Sequence, residues 1–436
     1  MAMKPRPPSS RRPERRSGPP SAPAPRERGE RLPLGAECLV QRPLALEAGK
    51  PLPPVEVRSP SRHPFVFRKR LGVYDRTAQP GDLVQLNTSD GLPHGFGLFN
   101  PRAELTVRQL TWGAQPPDLD WWENRLAAAV AFRREFLQLD SQTNAYRLVH
   151  AEADGLPGVV IDRFGDTLVV EAYSLGMYQR AEGLLELLTP LCETQHGLLR
   201  PAPMTREHEG FEGDAIGSEG LSERVTIQEF GTKFRVDFTG GHKTGFYCDQ
   251  RDNRRRLANL CGGKSVLDIC CYTGGFAIQA KVLGKAHDVT GVELDEAAAA
   301  LARDNAKLNK VPVQVVQADA FAYVRDMLRN GKTYDVVTLD PPKLLKSAED
   351  MVEGRGKYFD LNRLAMQVTA PGGILVTCSC SGRLETDEFT RIVMAAAANL
   401  GRSIKIFDRH GAAPDHPVAG NCPESEYLKT LWIKMD

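Results

Sequence analysis

From about residue 240 onward the chain repeats one pattern, a short apolar run followed by a stretch with helical spacing. The runs are Ser265–Ile269, Asp288–Val292, Val313–Val316, Val336–Leu339, Ile374–Thr377 and Ile404–Phe407. Strands alternating with helices predict an α/β fold built on a doubly wound parallel sheet. In such a sheet ligands bind outside the carboxyl ends of the strands. The residues at those ends are therefore the candidates for chemistry.

The first strand ends in Asp268-Ile269-Cys270-Cys271-Tyr272-Thr273-Gly274-Gly275-Phe276. Two glycines suit a sharp turn from strand to helix and a close approach of backbone to ligand. Neither GxGxxG nor GxxxxGK[ST] is present, which disfavours a pyrophosphate cofactor. Glu293 ends the second strand, 19 residues after Gly274, near the spacing at which a carboxylate grips a ribose diol. Asp319 follows the third strand and is placed to meet an adenine amino group, although such an Asp is often a helix cap. Together these residues suggest an adenosine ligand without phosphates. The fourth strand ends in Asp340-Pro341-Pro342-Lys343, a rigid loop, because two prolines cannot continue a ladder. Lys343 stands where many amino-group methyltransferases carry a stacking aromatic. The fifth strand ends in Cys378-Ser379-Cys380-Ser381-Gly382, with the two thiols expected on one face and Cys380 nearer the ligand crevice. A thiolate adding at carbon 6 of cytosine makes the ring enamine-like, so that carbon 5 can attack a sulfonium methyl. Asp340 is placed to hold the N3/amino edge of that ring. The alternative for Cys380 is a plain core thiol.

The chain of 436 residues has room for further domains. Residues 1–33 carry nine Lys/Arg, three acidic residues and nine prolines, the composition of a disordered tail. The rest holds 47 basic and 52 acidic residues, so charge alone makes no case for RNA. Residues 36–112 read as a small β domain, with strands at Ala36–Val40, Phe65–Phe67, Asp82–Leu86, Gly95–Phe99 and Leu105–Leu110. Trp121, Trp122, Leu126, Val130 and Phe136 recur at helical spacing and predict one amphipathic linking helix over 119–138. With that linker, residues 118–238 form a small α+β domain. It has a hairpin at Gly158–Arg163 and Thr167–Tyr173, a helix over Met177–Leu188, a loop at 205–222, and strands at Val225–Glu229 and Lys233–Asp237. Residues 240–436 are the doubly wound domain. Nine cysteines without a CxxC pair predict no metal site and no disulfide framework. No apolar run reaches the ~20 residues of a membrane span, and the cytoplasm is the expected compartment.

Several segments resemble the RlmI family of bacterial 23S rRNA (cytosine-5)-methyltransferases. They are Gly241–Arg254, Tyr272–Phe276, Asp340–Lys343 and Ser379–Gly382, with Tyr146–Val149, Asp154–Gly158, Arg62–Phe67 and Asp415–Val418. The likeness covers nearly everything after the tail, in the same order. It implies a PUA-like RNA-binding β-barrel, a small middle domain, and a class I, Rossmann-like methyltransferase domain using S-adenosylmethionine. The product would be 5-methylcytosine in large-subunit ribosomal RNA, and a homodimer is an option. By that resemblance Cys380 is the nucleophile. Cofactor contacts are expected from Asp268, Tyr272, Thr273, Gly274, Gly275, Phe276, Glu293, Asp319, Asp340, Gln250 and Arg251. For Lys243, Gln250 and Arg251, RNA binding or capping of the fold stays open. Many RNA cytosine-5 enzymes carry a second cysteine after the fourth-strand Pro; here Pro342-Lys343 fill that place. The base for the carbon-5 proton is thus unassigned, with Asp340 a candidate. Competing readings are a guanine methyltransferase on the same scaffold, which would survive Cys380→Ala, and a non-catalytic RNA-binding assembly factor.

Overall fold

A computed structural model describes residues 34–239, 244–345 and 349–436. The tail of residues 1–33, and Gly241, His242 and Lys243, lie outside the described residues.

Seven strands form the C-terminal sheet: β1 Ser265–Ile269, β2 Asp288–Glu293, β3 Gln314–Gln317, β4 Tyr334–Leu339, β5 Thr369–Ser379, β6 Ile404–His410 and β7 Lys429–Met435. Their order is β3-β2-β1-β4-β5-β7-β6. β1 to β5 pair in parallel, and β7 runs antiparallel between β5 and β6. The sequence reading gives six of these strands and misses β7. That strand is apolar on both faces and follows irregular chain, so neither a helix nor an alternation announces it.

Helices α1 Arg251–Ala258, α2 Gly275–Val282, α3 Glu296–Leu308, α4 Ala320–Arg329, α5 Met351–Val368 and α6 Thr386–Asn399 surround the sheet. Asp295 and Asp319 cap α3 and α4, accepting from the N–H of Ala298 at 2.8 Å and of Ala322 at 2.9 Å. Successive strand residues face opposite ways. Leu267, Val337, Leu375, Leu431 and Ile433 therefore pack on Leu361, Leu364, Phe389 and Val393 of α5 and α6. Val266, Val336, Ile374, Val376 and Trp432 meet Leu257, Phe276 and Ala277 on the other side. Each such fully buried side chain contributes roughly 1.5–3 kcal/mol.

A six-stranded sheet precedes this layer, in the order Phe65–Phe67, Leu105–Trp112, Pro93–Phe99, Leu83–Thr88, Pro54–Val57, Leu71–Tyr74. Val57, Val84, Leu86, Phe99 and Val107 fill its own core, while Phe96, Leu98 and Leu110 face the middle layer. Ala36–Val40 is not a strand here. Residues Ala36–Leu39 form a 3-10 turn, and Leu34 and Leu39 pack on the middle layer. Gln179 Nε2 donates to the Cys38 carbonyl at 2.6 Å, taking the place of a ladder partner.

The middle sheet runs Ile216–Gly217, His196–Pro201, Thr167–Ala172, Val159–Phe164, Ala145–His150. The helix expected over Met177–Leu188 is two helices, Leu175–Tyr178 and Ala181–Cys192. At the break the Gln179 carbonyl accepts from the Arg42 N–H at 2.5 Å. The loop expected at 205–222 contains a helix, Thr205–Glu209, and the short strand Ile216–Gly217. Buried Glu209 fixes that helix by accepting from Arg108 and Asn100. The linking helix is α-helical over Leu119–Ala131 and becomes a π turn at Phe132–Phe136. The extra residue per turn rotates Phe136 off the apolar stripe, leaving it 76% exposed.

The hairpin of Arg224–Glu229 and Thr232–Asp237 packs as part of the C-terminal layer. Arg235 N donates to Asn305 Oδ1 at 2.7 Å, and Lys233 N to Asn309 Oδ1 at 2.9 Å. Ile227, Phe234 and Val236 share a core with Ala145, Phe164 and Val169 on one side and Ile278 and Ala306 on the other.

Candidate active site

The strand ends β1, β2, β4 and β5, with residues 318–321 after β3, open into one cavity of about 940 Å³. That volume lies in the range of small-molecule sites. Tyr272, Thr273, Gly275, Phe276, Glu293, Asp319, Asp340, Gln250 and Cys380 all line it, so the structure brings these expected residues together.

The first end is a strained turn. Cys270 (φ 62°), Tyr272 (φ 49°) and Gly274 (φ 85°) adopt left-handed conformations. Only the glycine does so cheaply; the other two cost of order 1–3 kcal/mol each. The neighbours enforce the turn. Tyr272 N donates to Glu293 Oε2 at 2.8 Å, and Cys271 N to the Val292 carbonyl at 3.0 Å. A Cβ on Gly274 would lie 2.9 Å from Ile278 Cδ1, so this glycine serves the turn and does not line the cavity. Asp268 does not line it either. Its buried Oδ2 accepts from Ala277 N at 3.0 Å and anchors the start of α2, and burial pushes its carboxyl up to about 8.

Glu293 is held from both sides, with Oε1 accepting from Leu294 N at 2.8 Å and Asp295 N at 3.0 Å. Oε2, with the single donor Tyr272 N, keeps a lone pair for a diol. Leu294, 64% exposed, and Phe321 line the cavity between Glu293 and Asp319 and offer an apolar seat for a flat ring. Carboxylate, apolar seat and strained turn fit an adenosine cofactor.

The second end holds Asp340, Pro341, Pro342, Lys343 and Cys380. Gln250 Nε2 donates to Asp340 Oδ2 at 2.9 Å, and Asn253 Nδ2 donates to Gln250 Oε1 at 2.7 Å. This chain fixes the Gln250 amide and with it the carboxylate. Cys380 Sγ lies 3.9 Å from the Pro341 carbonyl. Of the two thiols, Cys380 lines the cavity and Cys378 does not. The β5–β7 ladder stops at Ser379, so Cys380 leaves the strand and turns into the cavity. Cys378 stays fully buried beside Thr430, and burial pushes its thiol well up. Cys270 also lines the cavity, but burial and the carboxylates of Glu293 and Asp340 push its thiol up.

Arg251 does not reach the cavity. Its guanidinium is fully buried and pairs with both oxygens of Asp415, at 3.0 and 2.8 Å, so it braces the wall behind the site. Sequence reasoning missed three neighbours. Arg254 lines the cavity and pairs with buried Glu229 at 2.8 and 2.6 Å. Asp249 Oδ2 accepts from the Tyr427 hydroxyl at 2.5 Å. Lys429 lies buried at the start of β7. Nothing local in the run Arg254-Arg255-Arg256 sets the first arginine apart; only the fold shows Arg254 buried.

Among the described residues one group could offer three metal ligands, His63, Cys422 and Glu424. The Phe65 N–H donates to His63 Nδ1, and Nε2 faces Glu424 at 3.2 Å. The group joins the six-stranded layer to the C-terminal layer.

The profile of the S-adenosylmethionine-dependent methyltransferase family matches residues 212–430, and that of the PUA-like domain matches residues 56–112. The chain belongs to this methyltransferase family. A relative in Photobacterium profundum, named ribosomal RNA large subunit methyltransferase I, is 37% identical over 84% of this chain and 94% of its own. One of the same name in Aeromonas hydrophila is 38% identical over 86% and 95%. A Streptococcus mutans structure described as a SAM-dependent methyltransferase shares the fold, with a TM-score of 0.72 at 20% identity, covering 87% of this chain and 99% of that one. The methyltransferase layer thus carries a cofactor site of the family type, and the six-stranded layer is PUA-like. Among the described residues no helix is long and apolar enough to cross a membrane.

Proposed function

We propose that the protein transfers a methyl group from S-adenosylmethionine to carbon 5 of a cytosine in large-subunit ribosomal RNA, through a covalent bond between Cys380 and carbon 6. The observation that carries the reading is one cavity holding an adenosine-type seat at β1–β3 and, at β4–β5, a half-exposed thiol beside a fixed carboxylate. The naming of the relatives supports ribosomal RNA as substrate. So does the PUA-like layer, where Arg58, Arg62, Arg68 and Lys69 are exposed.

The cofactor supplies the sulfonium methyl. The Cys380 thiolate adds to carbon 6, and the electron pair moves through the ring to N3, which takes up the proton that Asp340 shares with it in the complex. Carbon 5 then takes the methyl and S-adenosylhomocysteine leaves. A base removes the carbon-5 proton, that electron pair expels the Cys380 thiolate, and the aromatic ring returns. Water is the base for the carbon-5 proton, and as the ring returns N3 gives its proton back to the Asp340 carboxylate. Gln250 keeps that carboxylate aimed into the cavity throughout.

The test is incubation of the purified protein with labelled S-adenosylmethionine and large-subunit rRNA lacking the modification, followed by digestion to nucleosides. Label in 5-methylcytidine is expected; label in a guanosine derivative would reject the cytosine reading. The cofactor seat has its own check. Glu293→Ala removes a charge-assisted hydrogen-bond acceptor worth about 1.5–3 kcal/mol, so S-adenosylmethionine should bind roughly 10- to 150-fold more weakly by calorimetry. An unchanged Kd would remove Glu293 from the site.

A further inference from the structure

Lys429 is 4% exposed. It pairs with Ser379 across the β5–β7 ladder, one residue before Cys380. Its Nζ donates to the carbonyls of Ser381 and Tyr427, both at 2.8 Å. These two fixed acceptors leave one of its three N–H groups over. Among the described residues no carboxylate forms an ion pair with it. Glu426 acts on it only from beyond ion-pair distance, and a buried ammonium without a counter-ion in contact is costly and rare unless something offsets it.

We propose that Lys429 is a positioning residue for the nucleophile, supplying from behind the wall of the cavity the positive charge that holds Cys380 as a thiolate. The inference rests on the reading of Cys380 as the nucleophile. Cys380 is faced by Asp340 and Lys343 from the β4 loop, Tyr247 ahead of α1, Tyr358 of α5, Cys378 on its own strand and Lys429 on β7. Asp340 opposes the thiolate. Lys343 is exposed, so water screens its charge. Burial keeps Tyr247, Tyr358 and Cys378 neutral. Lys429 is thus the cation on this list that works in a low dielectric, where a charge acts most strongly. Burial pushes its own ammonium down to about 8, and Cys380 pulls the other way, as a coupled pair should.

The test is the rate of Cys380 alkylation by iodoacetamide from pH 5 to 10 on the full chain, read by mass spectrometry of the peptide and corrected with Cys380→Ala. In the wild type the thiol should titrate below the ordinary value of about 8.5. Lys429→Met should raise that midpoint by about 1–3 units, and Lys429→Arg, which keeps the charge, should restore most of the shift. A wild-type midpoint at or above about 8.5 overturns the assignment, even if the methionine variant fails to fold. So does an unchanged midpoint in Lys429→Met. Failure of the nucleophile reading shows separately, as turnover retained in Cys380→Ala.

Discussion

Replacing Cys380 with alanine is expected to lower methyl transfer to RNA by on the order of 10⁴-fold or more, since the step that activates carbon 5 disappears outright. S-adenosylmethionine binding should stay within about twofold, because the β1–β3 seat does not include this side chain. Single-turnover kinetics and calorimetry on the same preparation measure both. An RNA bearing 5-fluorocytidine sharpens the result. Fluorine cannot leave as a proton does, so wild-type protein should stay covalently attached and run as a shifted band, while Cys380→Ala should not. Retained turnover in the alanine variant would reject covalent catalysis at this residue. The neighbouring thiols give a control, since Cys378→Ala and Cys270→Ala should both still form the band.

Asp415→Ala should be the most destabilising single change behind the site. The carboxylate is fully buried, accepts from Arg251 twice and from the Arg147 N–H at 2.9 Å, and its backbone carbonyl accepts from Arg133 at 2.9 Å. Truncation leaves the buried Arg251 with only Asp252, 3.3 Å from its Nε, at a cost of about 3–5 kcal/mol. For a cooperative unit of this size that lowers the melting temperature by about 5 °C. Arg251→Met combined with Asp415→Leu should recover much of the loss, because no charge is then stranded. Arg251 holds the Asp415 carboxyl well below the usual carboxylate range. Its stabilisation is therefore complete above the unfolded value of about 3.9 and fades as the pH falls toward the folded one. The wild type should lose more stability on acidification than Asp415→Ala. Equal melting temperatures at neutral pH would show that the pair is not structural.

Most of the site was legible because strand ends in a parallel sheet converge, and a sequence shows where strands end. Tyr272 through Phe276, Glu293, Asp319, Asp340 and Cys380 could be placed on one edge from spacing alone, and all but Gly274 line the cavity. Whether a side chain touches a ligand or braces the wall was not legible. Asp268, Gln250 and Arg251 were all expected at the cofactor, with RNA binding or capping of the fold open for the last two, yet Asp268 anchors a helix, Gln250 aims Asp340, and Arg251 is held by a residue 164 positions away. Long-range pairing of that kind leaves no local trace. The same holds for β7, whose apolar run belongs to the sheet only because it slips between β5 and β6. Ala36–Val40 failed for the opposite reason, since its apolar residues pack on a neighbouring layer through a turn.

Ile227, Phe234 and Val236 fill one core jointly with Phe164 and Val169 upstream and Ile278 and Ala306 downstream. Recombination between homologues cannot therefore trade the middle layer and the methyltransferase layer as separate cassettes. A splice on either side of the hairpin joins half of a packed wall to a stranger's other half, and mismatched volumes there cost about 1–3 kcal/mol apiece. The smallest piece that can be exchanged intact is larger than a domain.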